Sequence, residues 1–200
     1  MAIFDGVKSL LLSAYRSHFS FSHIQSLEKF CEPWSKPAAG KTLDLGCGRT
    51  PKNPFNAIEL YGIDADYGVD EGKNIFQCDL GMEKLPFDDE TFDYVTAFDL
   101  LEHIPRLAHV GHRRVYPFIE LMNEVSRVLK NGGLFLSDTP AYPRSSAFTD
   151  PTHVNFITNQ TFRLYFCAPH NWAQRYGFNG DFKLVRQNWH KENLLTLMSK

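Results

Sequence analysis

Asp44, Gly46 and Gly48, within KTLDLGCGRTPKNPF (residues 41–55), are the residue types needed where a chain leaves a strand, turns sharply and brings its backbone close to a ligand. Glycine reaches positive φ without strain and has no Cβ to occupy the ligand's space. A dinucleotide loop would continue as G-x-G-x-x-G into a helix, with an acidic residue about 20 positions later for a ribose. Asp64, which ends YGID, is at that distance, but the third glycine is missing and Pro51 and Pro54 follow. The missing glycine argues against a nicotinamide-dependent oxidoreductase. Asp150 and His153, in TDPTHVNF, form a second group of polar residues whose types could move a proton or orient an acceptor. Turn formation by Asp150 before Pro151 explains the same residues without catalysis. His109 and His112, at i and i+3, lack a nearby cysteine or paired carboxylate, so no metal is expected there.

Short strands and few helices must position these groups. KTLDLG, IELYGID, NIFQCD and FDYVTAFD are short apolar runs, each ending in an acidic residue or glycine, and read as buried parallel strands. The period of YPFIELMNEVSRVLK predicts a helix with Pro117 in its first turn, Arg127 and Lys130 in its last, and NGG as its stop. GLFLSD reads as a fifth strand. FKLVRQNWH and NLLTLMS read as a closing pair, after a helical stretch from Thr161. The connection TPAYPRSSAFTDPTHVNFITNQ has too little periodicity for an element, and loops of that length are usually functional. Upstream, Phe4, Val7, Leu11 and Phe19 lie at helical spacing, and Ser22 is placed to cap a second helix reaching Trp34.

LDLGCG, YGID, CDL, LPFDDETFDYVTAFDLLEHIP and EVSRVLKNGGLFL, in this order over residues 41–138, resemble a class I S-adenosylmethionine-dependent methyltransferase of the small, widespread kind. The resemblance implies an α/β fold, with a doubly wound, mostly parallel, seven-stranded Rossmann-like sheet whose last strand is antiparallel. It implies S-adenosylmethionine as cofactor and S-adenosylhomocysteine as product. Asp44, Gly46 and Gly48 would then surround the methionine part, Asp64 would accept from the ribose hydroxyls, Asp79 with the Leu80 backbone would meet the adenine amino group, and the Phe98 carbonyl would hold the ammonium. His103, in LLEHIP, matches a position facing the active-site mouth. With Asp150 and His153 it completes the candidate catalytic set. DPTHV is similar to a segment of bacterial methyltransferases associated with glycan modification, which suggests an oxygen acceptor on a saccharide or small molecule. DTPAYP is similar to the D-P-P-Y signature of nucleic-acid amino methyltransferases, but it follows the fifth strand rather than the fourth. A catalytically silent cofactor-binding module is the other reading.

The chain departs from that pattern at RTPKNPFNA and ADYGVDEGK, both too short for crossover helices. One sheet face would be bare, and the N-terminal helices are expected to cover it. Arg49 or Lys52 could then serve the methionine carboxylate. The 200 residues, 43% apolar, suit one domain: N-terminal helices (1–36), a cofactor core (41–138), a substrate loop (139–160) and a closing helix and strand pair (161–200). A net charge of -2 and a pI of 6.4 supply no field for nucleic acid or anionic lipid, and HRR (112–114) reads as a solvated helix start. No apolar run nears the roughly 18 residues of a membrane span, and no secretory signal is visible. Four cysteines without a C-x-x-C pair predict reduced thiols. A cytoplasmic protein is expected.

Overall fold

The computed structural model describes residues 23–36, 39–66 and 74–200. The elements that matter for function are β1 (His23–Ile24), α1 (Leu27–Cys31), β2 (Lys41–Leu45), β3 (Glu59–Asp64), β4 (Ile75–Gln77) and β5 (Phe92–Phe98). After them come β6 (Ala108–Val110), β7 (Arg113–Val115), α2 (Pro117–Val128), β8 (Leu129–Tyr142), α3 (Ser146–Thr149), β9 (Ile157–Thr158), α4 (Thr161–Tyr165), β10 (Lys183–His190) and β11 (Asn193–Ser199).

The sheet runs in the order β1-β10-β11-β8-β5-β2-β3-β4. Strands β2, β3, β4, β5 and β8 are mutually parallel, and β11 is inserted antiparallel to both β8 and β10. The central strands read as continuous apolar runs because both of their faces are covered: Thr42, Leu43, Asp44 and Leu45 are all buried. The first strand in the doubly wound part is β2, and the winding reverses beside it, between β2 and β5. Open α/β sheets bind ligands at such a point, beyond the carboxyl ends of the strands.

The two faces are covered differently. Val95 and Ala97 of β5 point to a large core with α2 (Leu121, Met122, Val125) and with Phe162, Phe166, Phe178 and Phe182 from beyond β9. Tyr94 and Phe98, alternate residues of the same strand, point to the other face and join Phe30, Cys31 and Phe55. No helix occurs in residues 46–58. In place of a crossover helix, Phe55 stacks on Tyr94 with ring centroids 4.3 Å apart, and the Tyr94 hydroxyl donates to the Trp34 carbonyl at 2.9 Å. The segment containing α1 therefore covers the face that lacks its helix. Full burial of each such aromatic is worth about 1.5–3 kcal/mol. The expected core residues Phe4, Val7, Leu11 and Phe19, and the capping residue Ser22, lie outside the described residues.

Several expectations need correction. The described part of the second helix is only α1 followed by a 3-10 turn (Glu32–Trp34). Its cap is Ser26, whose hydroxyl accepts from the Lys29 amide, and residues 23–24 instead pair with β10. HRR is not a helix start. Arg113 and Arg114 lie in the β6–β7 hairpin, exposed, with Gly111 at φ +59 making the turn. The connection after Asp138 is not without structure either: β8 continues to Tyr142, and α3 and β9 follow, β9 pairing with the end of β8. The strand extension buries Thr139 and Ala141, which pattern reading had assigned to a loop because of Pro140 and Pro143.

Candidate functional site

The turn after β2 is held by its two aspartates. Asp44 is buried. Its Oδ1 accepts from the Thr96 hydroxyl of the neighbouring strand at 2.7 Å, and its Oδ2 from the Lys52 amide at 2.7 Å. Removal from water pushes its carboxyl up to about 6, against the lowering effect of those two donors. Asp64, at the end of β3, accepts from the Gly48 amide at 2.9 Å and from the Asp66 amide at 3.0 Å. The aspartates thus tie both limbs of the loop to the sheet.

Glycine is required here by space as well as by φ. Gly46 stands at φ +65, and a Cβ on it would lie 2.8 Å from Leu100 Cδ1. Gly62, within β3, has an ordinary φ, but a Cβ there would come within 2.5 Å of Cys47 Sγ and 2.7 Å of Pro51 Cγ. The glycine of YGID therefore lets the loop lie flat on the sheet. Lys52 sends its ammonium over the Phe98 ring, 4.4 Å from the centroid.

The remaining cofactor-side candidates lie along the same edge. Asp79, exposed, follows β4, its amide donating to Glu83 at 2.9 Å, and Leu80 beside it is buried. Phe98 ends β5, and Asp99 follows at φ +48 with its amide on the Asp138 carbonyl at 2.9 Å. Asp44, Gly46, Gly48, Asp64 and Phe98 are brought together by adjacent strand ends. Asp79 and Leu80 stand farther along, beyond β3. The Asp64 carboxylate at the rim and the glycine turn beside it suit the diol and the methionine part of S-adenosylmethionine. The fit rests on Asp64, a carboxylate at a parallel-strand end, and on the glycine turn that Gly46 makes at φ +65.

A second group of polar residues lies at the ends of β5 and β8. Glu102 is buried, with Oε2 accepting from the Thr139 hydroxyl at 2.6 Å, while Oε1 has no partner among the described residues. Burial raises its carboxyl above the ordinary range. Its backbone carbonyl accepts from Val154 and Asn155, both at 2.9 Å, which pins the DPTHV loop beside it. His103 and His153 stand edge to face, ring centroids 4.9 Å apart, and His153 Nε2 lies 4.0 Å from Glu102 Oε1. His103 Nδ1 is 3.1 Å from the Thr152 hydroxyl, which donates to Asp150 Oδ1 at 2.7 Å. The Thr152 amide also donates to Asp150, and both donors hold that exposed carboxyl below its usual range.

The three candidate catalytic residues are thus brought together, and Asp150 does form the turn expected of it. His109 and His112 are exposed in and beside the β6–β7 hairpin, away from this group. Sequence reading passed over Glu102, although it immediately precedes His103 between apolar neighbours. It also passed over Asp138 and His190. Asp138 is buried, with Oδ2 2.9 Å from His190 Nδ1 and Oδ1 without a partner among the described residues; burial raises its carboxyl. Both residues end strands that pattern reading had identified, and that was the signal available.

Two concavities adjoin the group. An open groove of about 710 Å³ is lined by Ser145, Ser146, Thr149, Asp150, His153 and Glu192. An aromatic cavity of about 310 Å³ includes Arg106, Tyr116, Phe118, Tyr165 and Tyr176. Arg106 links it to the loop by donating to Asn155 Oδ1 at 2.7 Å and to the Phe156 carbonyl.

A family model described as a methyltransferase domain matches residues 43–137. No curated protein matches. Among solved structures, the PH0226 protein from Pyrococcus horikoshii is similar at 21% identity and a TM-score of 0.56, covering 92% of this chain and 90% of that one. A SAM-dependent methyltransferase from Mesorhizobium loti gives 16% identity and a TM-score of 0.56 over 88% of this chain and 98% of its own. A chain from the complex between the Haloferax volcanii Trm112 methyltransferase activator and a candidate methyltransferase gives 13% identity and a TM-score of 0.55 over 86% and 87%. Among the described residues no helix is long and apolar enough to cross a membrane.

Proposed function

We propose that this chain, a class I S-adenosylmethionine-dependent methyltransferase by its domain and fold, transfers a methyl group to an oxygen of a hydroxylated small molecule or saccharide. The observation that carries the choice of acceptor is the groove lined by the hydroxyl residues Ser145 and Thr149, by the carboxylates Asp150 and Glu192 and by His153. Such a wall offers donors and acceptors for a polyol. The cofactor would lie along Asp44, Gly46, Gly48, Asp64, Asp79, Leu80 and Phe98, and supplies an activated methyl on sulfonium.

The residues contribute mainly by positioning, since methyl transfer is an in-line displacement. A hydroxyl acceptor also has to lose its proton. The hydroxyl proton of Thr152 is committed to Asp150, because a carboxylate only accepts; Thr152 Oγ1 therefore accepts from His103 Nδ1–H. That assignment leaves a lone pair on His103 Nε2. Likewise the Ala147 carbonyl, 3.2 Å from His153 Nδ1, can only accept, which leaves Nε2 of His153 unprotonated when the ring is neutral. Each imidazole is thus held in the tautomer that can take a proton at Nε2, with Asp150 orienting His103 through Thr152. The chain from 1 to 200 would act as a single catalytic unit.

The test is an S-adenosylhomocysteine release assay over sugars, phenols and carboxylates. Turnover confined to hydroxylated acceptors and reduced in His153→Ala is expected. Turnover on an amine or thiol in preference to any oxygen would overturn the acceptor class, and cofactor binding without release across a broad panel would leave a binding module.

A further inference from the structure

Glu102, His103 and His153 hold one feature that proton transfer does not use. A carboxylate oxygen of Glu102 and a ring nitrogen of each histidine all lie within 4.8 Å of one another. The Glu102 and His153 side chains are 2% and 7% exposed, and Glu102 Oε1 has no hydrogen-bond partner among the described residues. The tautomers fixed by Ala147 and by Thr152–Asp150 put lone pairs, not N–H groups, on the free nitrogens. An oxygen of the buried Glu102 and a nitrogen of each imidazole therefore converge, and the hydrogen bonds of the rings at Nδ1 leave Nε2 of each to carry a lone pair in its neutral form. At 4.0 Å, Glu102 Oε1 and His153 Nε2 are too far apart for a hydrogen bond to satisfy either.

We propose that Glu102, His103 and His153 form a site for one divalent transition cation of the zinc type. Two histidines and one carboxylate, with positions left open, are a donor set that favours such ions over magnesium or calcium. Bonds of about 2.0–2.2 Å at a tetrahedral angle place two donors about 3.4 Å apart, so donors up to 4.8 Å apart would have to close by at most about 1.4 Å, shared between the two side chains. The outer partners are already in place: Thr139 on Glu102 Oε2, Ala147 on His153 Nδ1, and Thr152 with Asp150 behind His103. Such partners fix the tautomer and aim the ligand nitrogen.

The role of this ion, though not the site itself, rests on the oxygen-methylation reading. At the ends of β5 and β8 it would bind the acceptor hydroxyl and lower that group's pKa. The proton then leaves to bulk water, the alkoxide forms the O–CH3 bond as the S–CH3 bond breaks and S-adenosylhomocysteine departs, and the imidazoles remain ligands. Without the ion, they would be free to accept the proton themselves.

The full chain, freed of metal by a chelator and titrated with Zn2+ in a calorimeter and with Co2+ by visible absorption, tests the proposal. One equivalent should bind at micromolar or tighter Kd, with the Co2+ bands of a nitrogen- and oxygen-ligated ion. Affinity should fall at least tenfold in Glu102→Gln and in His153→Ala, and should be unchanged in His109→Ala/His112→Ala. Absence of binding, or binding retained in both site variants, overturns the site. S-adenosylhomocysteine release measured with and without added Zn2+ separates the two readings. Metal-independent release overturns the ion's role while the methyl-transfer reading stands, and tight binding at this site without oxygen methylation sustains the site while that reading falls.

Discussion

At the ends of β2 and β3, both carboxylate oxygens of Asp44 and both of Asp64 accept hydrogen bonds from groups that the fold fixes, three of the four being backbone amides. At the ends of β5 and β8, Glu102 Oε1 and Asp138 Oδ1 are buried with no partner among the described residues. The first half of the crevice is self-contained and rigid, with its polar groups engaged before any ligand arrives. The second half carries buried acceptors whose cost of about 1–3 kcal/mol each is tolerated only where something else benefits. On the proposed reading the first part holds the cofactor and the second meets the acceptor. Variants in the two halves should therefore fail in different ways.

Gly46→Val should have the largest effect. A branched side chain at φ +65, pressed on Leu100, costs about 2–5 kcal/mol in strain and overpacking and displaces the turn. Calorimetry should find no S-adenosylmethionine binding, and normal affinity would place the cofactor elsewhere. His153→Ala belongs to the other half. Methyl transfer should fall by about 10²–10⁴, the usual contribution of a positioned acid or base. Cofactor affinity should remain within twofold. Equal losses in both measurements would dissolve the distinction between the halves.

How much of this was legible beforehand follows the same division. The cofactor half is built from contiguous stretches, LDLGCG and YGID, where local needs (a turn after a strand, no Cβ, a carboxylate at a strand end) fix the residue types. The acceptor half joins residues 102–103, 139 and 150–153, distant in sequence and brought together only when β8 runs on past Asp138. Glu102 looked like one more residue in an apolar run, and nothing local indicates that its carboxylate turns inward to Thr139. The cover over the helix-free face was inferred from what the sheet lacked, and Phe30 and Cys31 do lie there. Phe55 was not anticipated, because a lone aromatic in a proline-rich loop carries no period.

Asp64→Ala should weaken S-adenosylmethionine by about 1.5–3 kcal/mol, roughly 10- to 150-fold, as expected for charge-assisted hydrogen bonds. It should leave Zn2+ binding intact. The smallest effect concerns pH. The carboxyl of Asp44 is raised to about 6 by burial, above its unfolded value of 3.8. Its contribution to stability is therefore complete below the unfolded value and is lost as pH rises through about 6, up to about 3 kcal/mol. Thermal unfolding without cofactor should find Asp44→Asn gaining on the wild type between pH 5 and pH 7.5. On the proposed placement of the methionine part beside Asp44, cofactor affinity should run the other way, falling about tenfold between pH 7 and pH 5 as that carboxylate is neutralised. A pH-independent difference between the two proteins would contradict the burial of an ionisable group there.

The most direct measurement is a calorimetric titration of the full chain with S-adenosylmethionine at pH 7.5, with NAD in parallel and Asp64→Ala and His153→Ala beside the wild type. The account predicts one equivalent of S-adenosylmethionine bound, none of NAD, a clear loss in Asp64→Ala and none in His153→Ala. Absence of S-adenosylmethionine binding, or binding that ignores Asp64 and follows His153, would contradict it.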